Sequence, residues 1–185
     1  MIIDARKGLP QDAKTWSSSN NVVGVILGGS RASVNDRDAW IAEELKFAGK
    51  IIDLYLPILG ICFGHQILGK LFGADIERKA MKSGLIEIEP TKDDALFSGL
   101  INFRMPASHR EQLSRLPDGF ELLATSGYCK VQAMKLKDGN VYGVQFHPCY
   151  DEDVKEVREL GINDSNYGEH DGERVLRNFF RIAGI

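Results

Sequence analysis

The sequence predicts an α/β fold, in which an open and mostly parallel twisted sheet carries covering helices and a small set of antiparallel strands. Buried-strand patterns alternate with helical patterns in the first half of the chain, which is typical of parallel strands joined by crossover helices. The middle of the chain holds short strand-like runs separated by turn residues, and the end holds an amphipathic helical stripe. At 185 residues the chain can bury a sizeable core, and we expect residues 1–185 to form one domain.

The parallel part of the sheet is predicted from two strand-and-helix units. The run VVGVILGG (22–29) has the pattern of a buried strand that ends in a glycine turn. The segment 35–50 has the spacing of an amphipathic helix, with Asn35 or Asp36 near its N-cap. A second buried strand is predicted at 57–61, and a helical pattern follows it.

The rest of the sheet, including its small antiparallel set, is predicted from five short runs of strand-forming residues. These runs are 84–90, 101–106, 120–125, 129–137 and 141–148. KDGN (137–140) is a hairpin signal, WSSSNN (16–21) is a loop signal, and 172–184 has the stripe of a closing helix. A charge-dense stretch at about 150–171 lies between two well-patterned segments, so we interpret it as a polar excursion from the domain.

Composition excludes several classes of protein. A net charge of −3 and a pI near 5.8 provide no basic surface for nucleic acid, and the sequence has no apolar run long enough to span a membrane. The first residues lack the apolar stretch of a secretory signal. Three cysteines, an odd number at wide spacing, indicate neither a disulfide framework nor a zinc site, so a reducing cytoplasm is the expected location.

Cys62 is the strongest candidate for chemistry. It lies between two glycines, in Gly60-Ile61-Cys62-Phe63-Gly64, where the predicted strand gives way to the helical pattern. A residue in such a tight strand-to-helix turn is pushed out of the sheet, and small neighbours two residues away relieve the crowding. A lone cysteine is usually a buried structural residue. The turn and its glycines favour a nucleophile here, and the start of the helix would stabilise its thiolate.

A cysteine nucleophile needs a base, and His147 is the best of the four histidines. It ends the apolar strand YGVQFHP (142–148), on the rim where open α/β sheets bind ligands and where Cys62 is also expected. The alternative is that His147 merely caps the strand or is exposed to solvent. His65 is too close to Cys62 in sequence to fold back as a base, and His170 in the polar excursion is expected to be solvated.

An oxyanion intermediate needs hydrogen-bond donors near the nucleophile. The Phe63 N–H directly after Cys62 is one natural donor. The turn LGGS (27–30) supplies a second, because Gly28 and Gly29 expose backbone N–H groups without a side chain in the way. A pair of glycines also occurs in ordinary strand-to-helix turns, so this turn gains weight only beside the Cys62 elbow.

The motifs GICFGHQ (60–66) and YGVQFHP (142–148) together resemble the class I, or triad, glutamine amidotransferases. Segments 94–100, 107–126, 129–135 and 175–180 look like those of the glutaminase part of GMP synthetase and its stand-alone relatives. The resemblance implies a flavodoxin-like fold and hydrolysis of the glutamine side-chain amide through a cysteine thioester, without a cofactor or metal. It also implies that ammonia passes to an ATP-using synthetase partner, and it is compatible with an oligomer.

The resemblance also assigns roles to individual residues. Gln66 matches a contact for the amino-acid end of glutamine, and Ser108 and His109 match a pair that lines the glutamine pocket. Gly28 and Gly29 match the oxyanion turn. Where the family has a glutamate two residues after the histidine, this chain has Cys149, so the orienting acid is absent from its place.

Asp151, Glu152 or Asp153 could supply the missing carboxylate, or the enzyme could act as a cysteine–histidine dyad. We take Asp151 as the catalytic candidate and expect low activity on glutamine alone. A second departure is at the start, where the family's usual first strand and helix are expected to be absent, although MIID (1–4) could serve as the first strand.

Two other functions remain open on the sequence. One is a cysteine hydrolase of γ-glutamyl compounds or small peptides, which ammonia release from glutamine would argue against. The other is a catalytically weak amidotransferase-like domain that regulates a partner by binding, which labelling of Cys62 by a glutamine-mimicking electrophile would argue against.

Overall fold

The computed structural model describes residues 1–149 and 169–185 and shows an α/β fold in which one sheet of seven strands separates two layers of helices. The helices are α1 (Ala13–Ser19), α2 (Ala39–Ile52), α3 (Phe63–Leu71) and α4 (Gly172–Ile182). The strands are β1 (Val25–Leu27), β2 (Ile58–Ile61), β3 (Ile76–Pro90), β4 (Phe103–Leu113), β5 (Phe120–Thr125), β6 (Ala133–Leu136) and β7 (Val141–Val144). Short 3₁₀ turns occur at Ala5–Lys7 and Ala95–Phe97.

The sheet has the order β1-β2-β7-β6-β5-β3-β4. Strands β1, β2 and β7 run parallel, and the other four continue the same sheet as antiparallel neighbours. The α/β class is therefore confirmed, as is the antiparallel strand set. Strands β3 and β4 are longer than the predicted runs 84–90 and 101–106, because they pair with each other in one long antiparallel ladder that begins with Ile76 opposite Leu113 and has an irregularity between Arg78 and Lys82.

Two apolar clusters, one on each face of the sheet, form the core. Helices α1, α2 and α3 cover one face, where Phe47, Ile51 and Ile67 are buried. Helix α4 and the 3₁₀ turn at Ala95–Phe97 cover the other face through Val175 and Phe179. The stripe predicted for the last helix is therefore a core-facing stripe. Among the described residues, no helix is long and apolar enough to cross a membrane.

Several local predictions were wrong. The loop predicted at 16–21 is mostly the end of α1, which Asp12 caps by accepting hydrogen bonds from the backbone of Lys14 and Thr15. Trp16 of that helix packs edge-on against Phe47 with ring centroids 5.5 Å apart, and this tertiary contact outweighs the polar composition.

The second wrong prediction is the start of α2, which begins at Ala39 rather than near Asp36. Asp36 instead closes its own turn, in which its side chain accepts from the Ser33 N–H and its N–H donates to the Ser33 carbonyl. Such local bonds compete with the helix for the same backbone groups. Strand β6 is likewise shorter than the predicted 129–137, because Cys129 lies in a turn in which its carbonyl accepts from the Ser126 N–H and its N–H donates to the Ser126 hydroxyl.

Candidate active site

Cys62 lies at the elbow between β2 and α3, as the sequence predicted. It is the N-cap of α3, and its backbone has φ 51° and ψ −98°, a conformation that non-glycine residues rarely adopt. Such a conformation costs about 1–3 kcal/mol and persists only where the surrounding structure imposes it. The Cys62 N–H donates to the Val144 carbonyl at 2.8 Å, which ties the elbow to β7.

The two flanking glycines are required by close packing at this elbow. A Cβ on Gly60 would lie 2.6 Å from the backbone of Gly64. A Cβ on Gly64 would lie 2.2 Å from the carbonyl oxygen of Leu27, at the end of β1. No side chain fits at either position, so the glycines permit the sharp turn, as predicted.

The end of β1 brings the glycine turn to the elbow. The Gly64 N–H donates to the Gly28 carbonyl at 3.1 Å, and both Gly28 and Gly29 are exposed. A Cβ on Gly29 would lie 3.8 Å from Cβ of Cys62 and 3.1 Å from Cε1 of His147. The turn, the cysteine and the histidine therefore converge on one point of the sheet rim.

His147 is held in place by the backbone of β4. Its N–H donates to the Pro106 carbonyl at 2.9 Å, and a hydrogen bond between its ring and the Ser108 backbone favours the protonated ring. Burial lowers the pKa of His147 to about 4, and the nearby ring of His109 adds to that lowering. At neutral pH the imidazole is thus uncharged and able to take a proton.

Cys62 is 5% exposed. Burial raises the pKa of its thiol to about 12, and the negative charge of Glu111 acts in the same direction. Hydrogen bonds from the Phe63 N–H and the Gln145 side chain lower it by less. The sequence placed Cys62 at a helix start correctly, but desolvation outweighs the expected stabilisation of the thiolate there.

The residues assigned to glutamine binding surround this point. His109 is buried on β4; its Nδ1 lies 3.0 Å from the Glu111 carbonyl oxygen, and its Nε2 lies 3.2 Å from the Tyr128 hydroxyl. Because a carbonyl can only accept, Nδ1 donates and Nε2 accepts from Tyr128. Ser108 is the partly buried residue before His109.

Gln66, on the first turn of α3, is 3% exposed and donates to the Glu111 carbonyl and to the side chain of Gln145. Gln145 is fully buried and donates to the sulfur of Cys62 at 3.6 Å. Sequence reasoning missed Gln145. A signal was available in the predicted strand 141–148, where Gln145 lies two positions before His147 and would share its face, although β7 itself ends at Val144.

The other predicted residues are outside this cluster. His65 is fully buried on α3, and burial lowers its pKa to about 3, so it is a neutral core histidine. His170 is partly buried and accepts a hydrogen bond from the Gly172 N–H, so it is less solvated than predicted. Cys129 is buried and Cys149 is exposed. Asp151, with most of the predicted excursion, falls among residues 150–168, outside the described part of the chain.

Three comparisons place the chain among known proteins. Residues 8–156 match the family model "Glutamine amidotransferase class-I". The chain is 35% identical over 171 residues to the A-subunit of the glutamine-hydrolyzing GMP synthase of Methanothermobacter thermautotrophicus, covering 89% of this chain and 77% of that one. It is 32% identical over 173 residues to the corresponding GMP synthase chain of Methanocaldococcus jannaschii, covering 90% of this chain and 77% of that one.

Solved structures agree with the sequence relatives. A protein of Thermoplasma acidophilum assigned as a GMP synthase A-subunit superposes with a TM-score of 0.71 at 26% identity, over 94% of this chain and 77% of that one. A glutamine amidotransferase of Thermotoga maritima shares the fold with a TM-score of 0.70 at 22% identity, over 98% of this chain and 79% of that one. The elbow, the histidine strand and the match over residues 8–156 lead to one conclusion: this chain belongs to the class I glutamine amidotransferase family.

Proposed function

We propose that the chain hydrolyses the side-chain amide of glutamine and supplies ammonia to a synthetase partner of the GMP synthase type. The observation that supports this most is the convergence of the Gly29 turn, the strained Cys62 elbow and His147 on one point of the sheet rim. An acyl transfer needs a nucleophile, a base and an oxyanion site together, and this arrangement can provide all three.

In the first half of the proposed reaction, the Cys62 sulfur attacks the amide carbon while its proton passes to His147. The oxyanion that forms would accept hydrogen bonds from the Phe63 N–H and from the glycine turn at Gly28 and Gly29. Collapse of this intermediate breaks the carbon–nitrogen bond, and the imidazolium returns the proton to the leaving nitrogen, which departs as ammonia. The product is a γ-glutamyl thioester on Cys62.

In the second half, His147 takes a proton from water, which attacks the thioester and releases glutamate and the Cys62 thiol. Asp151 is our candidate for the acid that stabilises the imidazolium, and the Ser108 backbone supports the ring as well. Because thiol and imidazole are both neutral in the resting site, proton transfer must accompany attack on bound glutamine. We therefore expect a slow glutaminase when the protein is assayed alone.

The test is ammonia release from glutamine by the purified protein and by cysteine variants. Cys62→Ala should abolish it, and a glutamine-mimicking electrophile should label Cys62 and no other residue. Cys129→Ala and Cys149→Ala are matched controls that should retain most of the activity, since neither thiol lies at the elbow. Equal loss in Cys149→Ala and Cys62→Ala would show that the nucleophile is wrongly assigned.

The ammonia transfer is tested by comparing the rate of glutamine hydrolysis with and without a synthetase partner. Adding the synthetase chain of a GMP synthase, with its substrates, should raise the rate of glutamine hydrolysis. Unchanged hydrolysis in every such mixture would contradict the proposed partner while leaving the glutaminase chemistry intact.

A further inference from the structure

Two buried side-chain amides, those of Gln66 and Gln145, connect the backbone of β4 to the nucleophile. We call this chain of hydrogen bonds the amide relay. Gln66 Nε2 donates to the Glu111 carbonyl at 2.8 Å and to Gln145 Oε1 at 3.2 Å. Gln145 Nε2 in turn donates to Cys62 Sγ at 3.6 Å. Gln66 is 3% exposed and Gln145 is fully buried, so solvent does not compete strongly for these bonds.

The backbone fixes the direction of this chain of hydrogen bonds. The Glu111 carbonyl can only accept, so the end of the Gln66 amide that faces it must be the nitrogen. The second N–H of that nitrogen points to Gln145, which must therefore present its oxygen. The Gln145 nitrogen is then left facing the sulfur, and an amide rotated the other way would remove the donor from Cys62.

The same carbonyl also holds His109. It accepts from His109 Nδ1 at 3.0 Å, so its two lone pairs serve Gln66 and His109 together. One backbone oxygen of β4 thus orients a residue assigned to the glutamine pocket and a donor aimed at the nucleophile.

We propose that Gln145 is a further catalytic residue, which donates to the Cys62 sulfur as it becomes a thiolate, and that Gln66 is the positioning residue that holds Gln145 in the donating orientation. This inference deepens the proposed function and rests on Cys62 as its nucleophile. A hydrogen bond to an ionised acceptor is roughly twice as strong as one between neutral groups. The Gln145 amide therefore favours the attacking thiolate over the resting thiol, which is the preference that catalysis requires.

The experiment measures thiol reactivity, which needs no glutamine turnover. Cys62 is alkylated with iodoacetamide at one mildly alkaline pH, and the modified peptide is quantified by mass spectrometry, with Cys149 of the same chain as reference. Gln145→Met keeps the length of the side chain and removes the donor. Gln112→Met is the control, because Gln112 is also buried but donates to Glu77 instead.

Gln145→Met should slow alkylation of Cys62 by about threefold, because a rise of about one unit in the pKa of its thiol lowers the thiolate fraction about tenfold while the more basic thiolate reacts about threefold faster. Gln112→Met should leave the rate unchanged. In Gln145→Met, modification of Cys62 by the bulkier N-ethylmaleimide should slow by the same factor as modification by iodoacetamide. A change in access to the thiol would instead affect the larger reagent more. The titratable groups that face the sulfur region, Glu111, His109, Tyr128 and His147, are the same in every variant.

Gln66→Met should slow alkylation by less than Gln145→Met, and the double variant should match Gln145→Met alone, because Gln66 acts through Gln145. A Gln145→Met rate equal to that of Gln112→Met would overturn the proposal, as would fully additive effects of the two substitutions. If Gln145→Met does not fold, unchanged alkylation in Gln66→Met overturns it instead. If the unmutated protein has no glutaminase activity but the thiol reactivities are as expected, the proposed function is contradicted and the amide relay is still supported.

Discussion

Gly64→Ala provides a direct test of the elbow geometry. The added Cβ would lie 2.2 Å from the Leu27 carbonyl oxygen and 2.7 Å from its carbon, whereas carbon contacts are comfortable only from about 3.5 Å. The end of β1 must therefore move by about 1 Å, and overpacking of this kind costs about 1–3 kcal/mol. The movement also breaks the 3.1 Å bond from the Gly64 N–H to Gly28, a loss of about 0.5–1.5 kcal/mol.

Alanine would recover about 1 kcal/mol of helix propensity, so we expect a net loss of roughly 1–3 kcal/mol in the free energy of unfolding. Urea denaturation measures this loss, and glutamine hydrolysis should fall as well, because the turn at Gly28 and Gly29, our proposed oxyanion site, moves away from Cys62. Gly49→Ala is the matched control. It places the same methyl group on α2, where no atom lies within 4 Å, and should stabilise the protein by about 0.5–1 kcal/mol. A Gly64→Ala protein as stable and active as the parent would refute the packing argument.

Three further predictions concern charge. Because burial raises the pKa of Cys62 to about 12 and lowers that of His147 to about 4, alkylation of Cys62 should rise with pH throughout the neutral range; a plateau below neutral pH would reveal a thiolate instead. Cys149→Glu should speed glutamine hydrolysis, because a carboxylate at 149 would raise the pKa of His147 towards neutrality. If Cys149→Glu leaves the rate of hydrolysis unchanged and Asp151→Asn abolishes it, the acid is at position 151. Burial raises the pKa of Glu44 to about 7, so the folded state loses stability as pH rises from about 4.5 to about 7. Glu44→Gln should therefore stabilise the protein above that range and change little below it, as urea midpoints at two pH values would show.

The elbow was predictable because its requirements are local. A strand, a tight turn and a helix leave marks within a few residues, and the glycines beside Cys62 are the marks of backbone atoms packed too closely for a side chain. His147 was predictable for a related reason, since it follows an apolar strand whose end lies at the rim of the sheet; β7 itself ends at Val144, three residues before His147. Both inferences depend on the strand pattern and on no partner distant in sequence.

The amide relay could not be predicted in the same way. Gln66 bonds to Glu111, 45 residues away, and to Gln145, 79 residues away, so its role depends on how α3 packs against β4 and against the segment that follows β7. The effect of burial on the pKa of Cys62 could not be predicted for a similar reason. The helix start is visible in the sequence, but the burial that outweighs it arises only when the sheet and helices have packed.

Strand β4 positions His147 and the two buried amides beside Cys62. Its backbone accepts from the His147 N–H at Pro106, supports the histidine ring at Ser108, and orients the relay to Cys62 at Glu111. These contacts involve main-chain groups of β4, so substitutions of its side chains leave them in place as long as the strand keeps its register. A one-residue slip would turn every side chain to the opposite face and break all of these contacts at once. Within the described sheet β4 pairs only with β3, and the base and the nucleophile therefore depend jointly on the pairing of those two strands.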